Sequence, residues 1–109
     1  MATIPINIGI HEFGNGPRLI VCERVHIRHQ DDVEWICTQN LPFAVDLGRD
    51  TPFDNDEKYH AKKDTSGVSK VKSKQNKIDQ KQVVKYSLAI YDDVNQEVLI
   101  EDPEIIIDP

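Results

Sequence analysis

An all-β fold, an antiparallel Greek-key β-sandwich of about seven or eight strands, is what the 109-residue sequence predicts. Three observations carry that expectation. Apolar residues recur with period two through most of the chain. The alternating runs are short and are separated by clusters of Gly, Pro, Asn and Asp, the residues that turns require. No stretch sustains the 3.6-residue apolar period of an amphipathic helix.

Each element follows from its own pattern. Ile4, Ile6, Ile8 and Ile10 place four isoleucines on one face of a first strand, and Pro5, lacking a backbone donor, assigns that strand to a sheet edge. Gly14-Asn15-Gly16-Pro17 is a turn. Arg18 to Arg28 reads as a second strand whose apolar face switches along its length, as in a strand that bends and serves two sheets. After the polar turn His29 to Asp32, Val33, Trp35 and Cys37 define a third strand, and Trp35 is expected in the core between two sheets. Asn40-Leu41-Pro42 interrupts; Phe43, Val45 and Leu47 define a fourth.

From Gly48 to Gly67 the alternation fails and a long loop is expected, a common location for function. Gly67 to Ser73 is a weak strand in which Lys70 and Lys72 suit edge protection. Val84, Tyr86, Leu88 and Ile90 predict one central strand, Asp92 to Asn95 a turn, and Glu97–Ile100 and Glu104–Ile107 two short closing strands. The length fits one domain over residues 1–109.

Composition narrows the function. With 39 % apolar and 29 % charged residues the chain has a globular balance, and its net charge of −6 argues against nucleic acid as the main partner. No apolar run reaches the roughly 18 residues of a membrane helix, and the first residues lack the pattern of a signal peptide, so no membrane association and a cytoplasmic location are expected. Cys22 and Cys37 form neither a disulfide framework nor a C-x-x-C pair and read as small apolar residues in a reducing compartment.

Two segments, Val33-Glu34-Trp35-Ile36-Cys37-Thr38-Gln39-Asn40-Leu41-Pro42-Phe43-Ala44-Val45 and Tyr86-Ser87-Leu88-Ala89-Ile90-Tyr91 with the turn after it, resemble the cupredoxins, the Greek-key family of plastocyanin and azurin. The resemblance spans Ile4 to Ile107, and immunoglobulin-like sandwiches share much of the pattern. It implies a copper site of two imidazoles, a thiolate and a weak axial ligand. The chain departs from that pattern at each ligand. Phe43 stands at the position of the first His, Ala89 or Ile90 at that of the Cys, and no Cys, His or Met follows Tyr86. A metal-free relative without electron transfer is therefore expected, with no cofactor.

Other chemistry is sparse. No serine lies in a Gly-x-Ser-x-Gly motif, neither cysteine has a base beside it in sequence, and the glycines form no phosphate loop, so no enzyme is expected. The acidic pairs Asp31-Asp32 and Asp92-Asp93 suit turn solvation. A metal site unlike the family's, around His26 and His29 with Asp31, is the alternative, although their spacing is no established ligand frame.

Charge is strongly segregated. Lys58 to Lys85 holds nine lysines against two aspartates, whereas Tyr86 to Pro109 holds seven acids and no cation. Charge blocks are ordinarily solvated surface. The functional reading is a contact surface for another protein formed by the loop Gly48 to Gly67 and by Lys58, Lys62, Lys63, Lys70, Lys72 and Lys74, with homo-oligomerisation, basic face on acidic face, as a variant.

Overall fold

The computed structural model describes residues 2–48, 53, 58–73 and 80–108. Eleven strands and no helix occur among them. They run β1 (Thr3–Phe13), β2 (Gly16–Val21), β3 (Arg24–Arg28), β4 (Asp32–Cys37), β5 (Phe43–Asp46), β6 (Lys58–Ala61), β7 (Ser69–Lys72), β8 (Gln82–Lys85), β9 (Ser87–Asp92), β10 (Glu97–Glu101) and β11 (Glu104–Asp108). Sheet I has the order β2-β1-β4-β7, sheet II β10-β9-β5-β6 and sheet III β3-β11-β8.

The all-β expectation holds, but the sheets are mixed. Sheet II is antiparallel throughout, while β1 runs parallel to β4 in sheet I and β3 parallel to β11 in sheet III. The alternation of apolar residues is the same in either pairing, so period two does not reveal strand direction.

The larger strand number has a specific cause. Two runs expected as single strands are each cut by a corner, and β6 lies where a loop was expected. Arg18 to Arg28 divides at Cys22–Glu23 into β2 of sheet I and β3 of sheet III, as its switching face suggested. The expected single strand Val84 to Ile90 divides at Tyr86 into β8 of sheet III and β9 of sheet II. Val84, Tyr86, Leu88 and Ile90 are all buried, so the alternation passes through the corner unchanged. The third corner, Asp102–Pro103, separates β10 from β11. The three corners are tied together: Tyr86 N–H donates to the Pro103 carbonyl at 3.0 Å and Glu104 N–H to the Glu23 carbonyl at 2.8 Å. Backbone groups freed where strands leave one sheet are thus satisfied by the neighbouring corner.

β1 is internal to its sheet rather than at an edge, yet Pro5 is tolerated. β1 pairs with β4 over Thr3 to Ile8 and with β2 over Ile8 to Phe13, so Pro5 has a neighbour on one side only. The proline sits where half of an 11-residue strand is locally an edge. At the other end Gly16, with φ of 121°, opens β2 in a conformation that a side chain would strain.

The stretch expected as a loop contains β6, antiparallel to β5, and a buried Phe53. Tyr59 and Ala61 point inward and His60 outward, an alternation too short to register in sequence. The core joins all three sheets. Trp35, Val33 and Cys37 of β4 meet Phe43, Val45, Leu88 and Ile90 of sheet II and Ile105 and Ile107 of β11. Each such side chain contributes roughly 1.5–3 kcal/mol by leaving water. Trp35 is fully buried, with its ring 6.0 Å from that of Tyr59 and 5.8 Å from that of Tyr86.

Candidate functional site

The register of sheet II fixes what its outer face presents. Phe43, Ile90, Ala61 and Leu99 form one row across the four strands, and the first three are buried. The next row, Ile100–Ala89–Ala44–His60, must point the other way. Two residues along, Val98 lies opposite Tyr91, whose N–H donates to the Pro42 carbonyl at 3.0 Å, and Lys62 follows β6 on the same side.

The face is apolar and uncovered. Val98 is 58 % exposed, Ile100 63 % and Tyr91 38 %. A solitary exposed aliphatic residue is ordinary, but three on adjacent positions of two paired strands make a patch. Between the Val98–Ile100 wall on β10 and His60 and Lys62 on the β6 side, Ala44 and Ala89 form a low floor. The hollow extends along the strands. Its part at the Tyr91 end, lined by Pro42, Ala44, Lys62, Ala89, Tyr91 and Val98 among others, measures about 370 Å³. The adjoining part, about 290 Å³, reaches Asp46 and Ser87. One end therefore carries a cation and the other a carboxylate.

The lysines read from the sequence fall near this face and behind it. Lys62 borders the hollow, and Lys63, next in the chain, reaches Asp93 at 3.9 Å. Lys58 opens β6 opposite Asp46. Lys70 and Lys72 stand on β7, the edge of sheet I, beside β6, with Lys72 Nζ 3.6 Å from Asp32 Oδ2. Lys74 lies outside the described residues. The expected loop surface is thus in part a strand that walls an apolar groove. The groove itself does not follow from the sequence pattern, which marks Val98 and Ile100 only as strand residues. Their signal was present, since Leu99 between them is also apolar and only one face of an edge strand can be buried.

Of the residues of the metal alternative, His26 and Asp31 have side-chain partners. His26 Nδ1 lies 3.3 Å from Asp108 Oδ2, and the Asp31 carboxylate accepts the backbone N–H groups of Ala2 at 3.0 Å and Arg28 at 2.9 Å. His29 donates its backbone N–H to the Asp108 carbonyl at 2.8 Å, while its ring Nδ1 is buried with no hydrogen-bond partner among the described residues. Among the described residues, no three His, Cys, Asp or Glu side chains converge as a metal site. At the positions where the resemblance would seat copper ligands, Phe43 and Ile90 are buried in the core and Ala89 is on the floor of the hollow.

Among the described residues two titratable groups shift clearly, and both serve structure. The Tyr86 phenol is pushed up to about 12, chiefly by burial, which disfavours its anion; the hydrogen bond from Trp35 opposes that rise. The Asp92 carboxyl is held below the ordinary range, first by the Asn95 side-chain amide and then by the backbone N–H groups of Asn95 and Val94. Neither group lines the hollow. Cys22 is exposed and Cys37 is buried, and both are free thiols.

No family model matches the chain, and no curated protein matches its sequence. Among the described residues no helix is long and apolar enough to cross a membrane.

Proposed function

We propose that this chain is a non-catalytic, metal-free binding module of the cupredoxin-like, Greek-key sandwich type, which engages another protein through the outer face of sheet II. The observation that carries this reading is the uncovered patch of Val98, Ile100 and Tyr91 beside the alanine floor. An exposed apolar patch has a solvation cost that a soluble domain keeps only where something covers it. The mixed rim, Lys62 at one end and Asp46 at the other, supplies orientation rather than affinity. The sandwich part of the reading is supported by the shared core of sheets I and II and by the contact of their edges, β2 with β10 and β6 with β7. The non-catalytic part is supported by the structural employment of Tyr86 and Asp92, the groups whose titration shifts among the described residues.

A photo-crosslinking residue at position 89, introduced into the chain in its own cell, tests the reading. A discrete protein adduct that disappears with Ile100→Lys is the expected result. Absence of any protein adduct would overturn it.

A further inference from the structure

The outer face of sheet II carries a projection and a recess two residues apart on one strand. Tyr91 rises from β9 at 38 % exposure, and beside it along the strand direction lies the floor made by Ala89 of the same strand and Ala44 of the paired strand β5. Side chains two residues apart on a strand share a face and lie about 7 Å from each other. A two-fold axis midway between them would set each tyrosine over the other copy's alanines. Such an interface is isologous: residue i meets residue j, and j meets i.

We propose, resting on the reading of this face as a docking surface, that its occupant is a second copy of the same chain. The axis lies in the plane of the face, crosses the strands and passes between the Val98–Tyr91 row and the Ile100–Ala89–Ala44–His60 row. Tyr91 then fills the recess over Ala89 and Ala44 of the second copy, and Val98 meets the second copy's Ile100. The apolar wall of β10 faces itself. An axis parallel to the strands would instead lay Val98 and Ile100 over His60 and Lys62, placing apolar groups against a cation and a polar ring. The crossing axis also directs Lys62 toward the end of the second copy that carries Asp46, so the charged ends are interleaved.

Size sets the strength. Four strands and five residues span about 19 by 17 Å, so the two faces together bury roughly 600 Å². Stable interfaces bury about 1,200 Å² or more, so the pair forms at high concentration and dissociates on dilution.

Sedimentation equilibrium from about 10 µM to about 1 mM reads the association directly. A monomer–dimer equilibrium within that range is expected for the full chain. Ala89→Trp, which fills the recess, and Tyr91→Ala, which removes the projection, are each expected to lower the association constant by at least about tenfold, with far-UV circular dichroism unchanged. Orientation is read by disulfide formation in a Cys22→Ser background. Val98→Cys mixed with Ile100→Cys is expected to crosslink faster than either variant with itself. A chain that is monomeric throughout, a dimer that both face variants leave intact, or faster like-with-like crosslinking would overturn the proposal. If the chain is monomeric while the position-89 adduct contains a different protein, self-pairing falls and the docking face stands. If the chain is monomeric and no adduct forms, both fall.

Discussion

Trp35 donates its indole N–H to the phenol oxygen of Tyr86 at 3.2 Å, joining β4 of sheet I to the corner between β8 and β9. Both rings are buried and meet edge to face at an interplanar angle of 66°. Tyr86 is thus a corner residue through its backbone and a core residue through its ring.

Replacing Tyr86 by Phe keeps the ring and removes the acceptor. The buried indole N–H then has no partner, which costs about 1–3 kcal/mol. Alkali tests the same site in the wild type. The native phenol titrates at about 12 against 10.0 for a free one, so the folded chain holds a proton that the unfolded chain releases first. The associated stability is complete below pH 10 and is lost as pH rises from 10 through 12; in all it is on the order of 2–3 kcal/mol. Urea midpoints measured across this window should fall steeply for the wild type and less steeply for Tyr86→Phe. Equal slopes would refute the assignment.

Gln39 continues a ladder that its own backbone has left. β1 and β4 pair as far as Ile8–Cys37, after which the chain turns away with Asn40 N–H donating to the Cys37 carbonyl at 3.1 Å. Two residues on, Ile10 N–H donates to Gln39 Oε1 at 2.6 Å, and Gln39 Nε2 donates to the Ile10 carbonyl at 2.9 Å. The side-chain amide replaces the missing strand. Gly9 permits this, since a Cβ there would lie 2.9 Å from Gln39 Oε1. Gln39→Ala and Gly9→Ala should each cost about 0.5–1.5 kcal/mol and speed amide exchange at Ile10. The double variant should cost less than the sum of the two, because both remove the same pair of bonds. Strict additivity would count against the coupling.

Asn40 combines two roles, and substitutions separate them. Its φ is 59°, in the left-handed region, and its amide exchanges two 2.8 Å hydrogen bonds with the backbone of Asp64. Asn40→Gly keeps the conformation and loses the bonds, whereas Asn40→Ala loses the bonds and adds about 1–2 kcal/mol of backbone strain. Chemical denaturation should therefore rank wild type above Asn40→Gly and Asn40→Gly above Asn40→Ala. An alanine variant as stable as the glycine one would contradict the conformational part.

Asp92 shapes the β9–β10 turn that carries Val98 and Ile100 to the outer face. Its carboxylate accepts the N–H groups of Val94 at 3.0 Å and Asn95 at 3.3 Å and the Asn95 side-chain amide at 2.8 Å. Because these bonds favour the charged form, their contribution is present above the ordinary carboxylate value of 3.8 and is lost as pH falls below it through the lower folded value. Asp92→Ala should lower the thermal midpoint at neutral pH and abolish this part of the acid dependence. Amide exchange at Val94 and Asn95 should accelerate more than at Leu88. Unchanged exchange in the turn would show that the carboxylate does not hold it.

The limits of the sequence are visible in particular residues. Period two located the buried faces of β4, β5 and β9 because the alternation of Val33, Trp35 and Cys37, or of Leu88 and Ile90, follows directly from the pleat. It could not locate the corner at Tyr86, where a strand changes sheets without changing which side of it is buried. Nor could it tell that Pro5 lies in an internal strand, because a local edge depends on where β2 stops. The exposed face of sheet II was legible only as an unexplained run, Val98-Leu99-Ile100.

The sequence by itself determined that this chain is built of strands, which side of most strands is buried, and that Trp35 belongs to the core. Those properties are local, set by the pleat and by the transfer of apolar side chains from water. Tertiary structure alone decided which strands are neighbours, which pairings are parallel, and that Ala44 and Ala89 lie side by side in the hollow that Tyr91 borders. These depend on register between segments more than 40 residues apart, where long-range pairing and the tied corners select one arrangement from many with the same alternation.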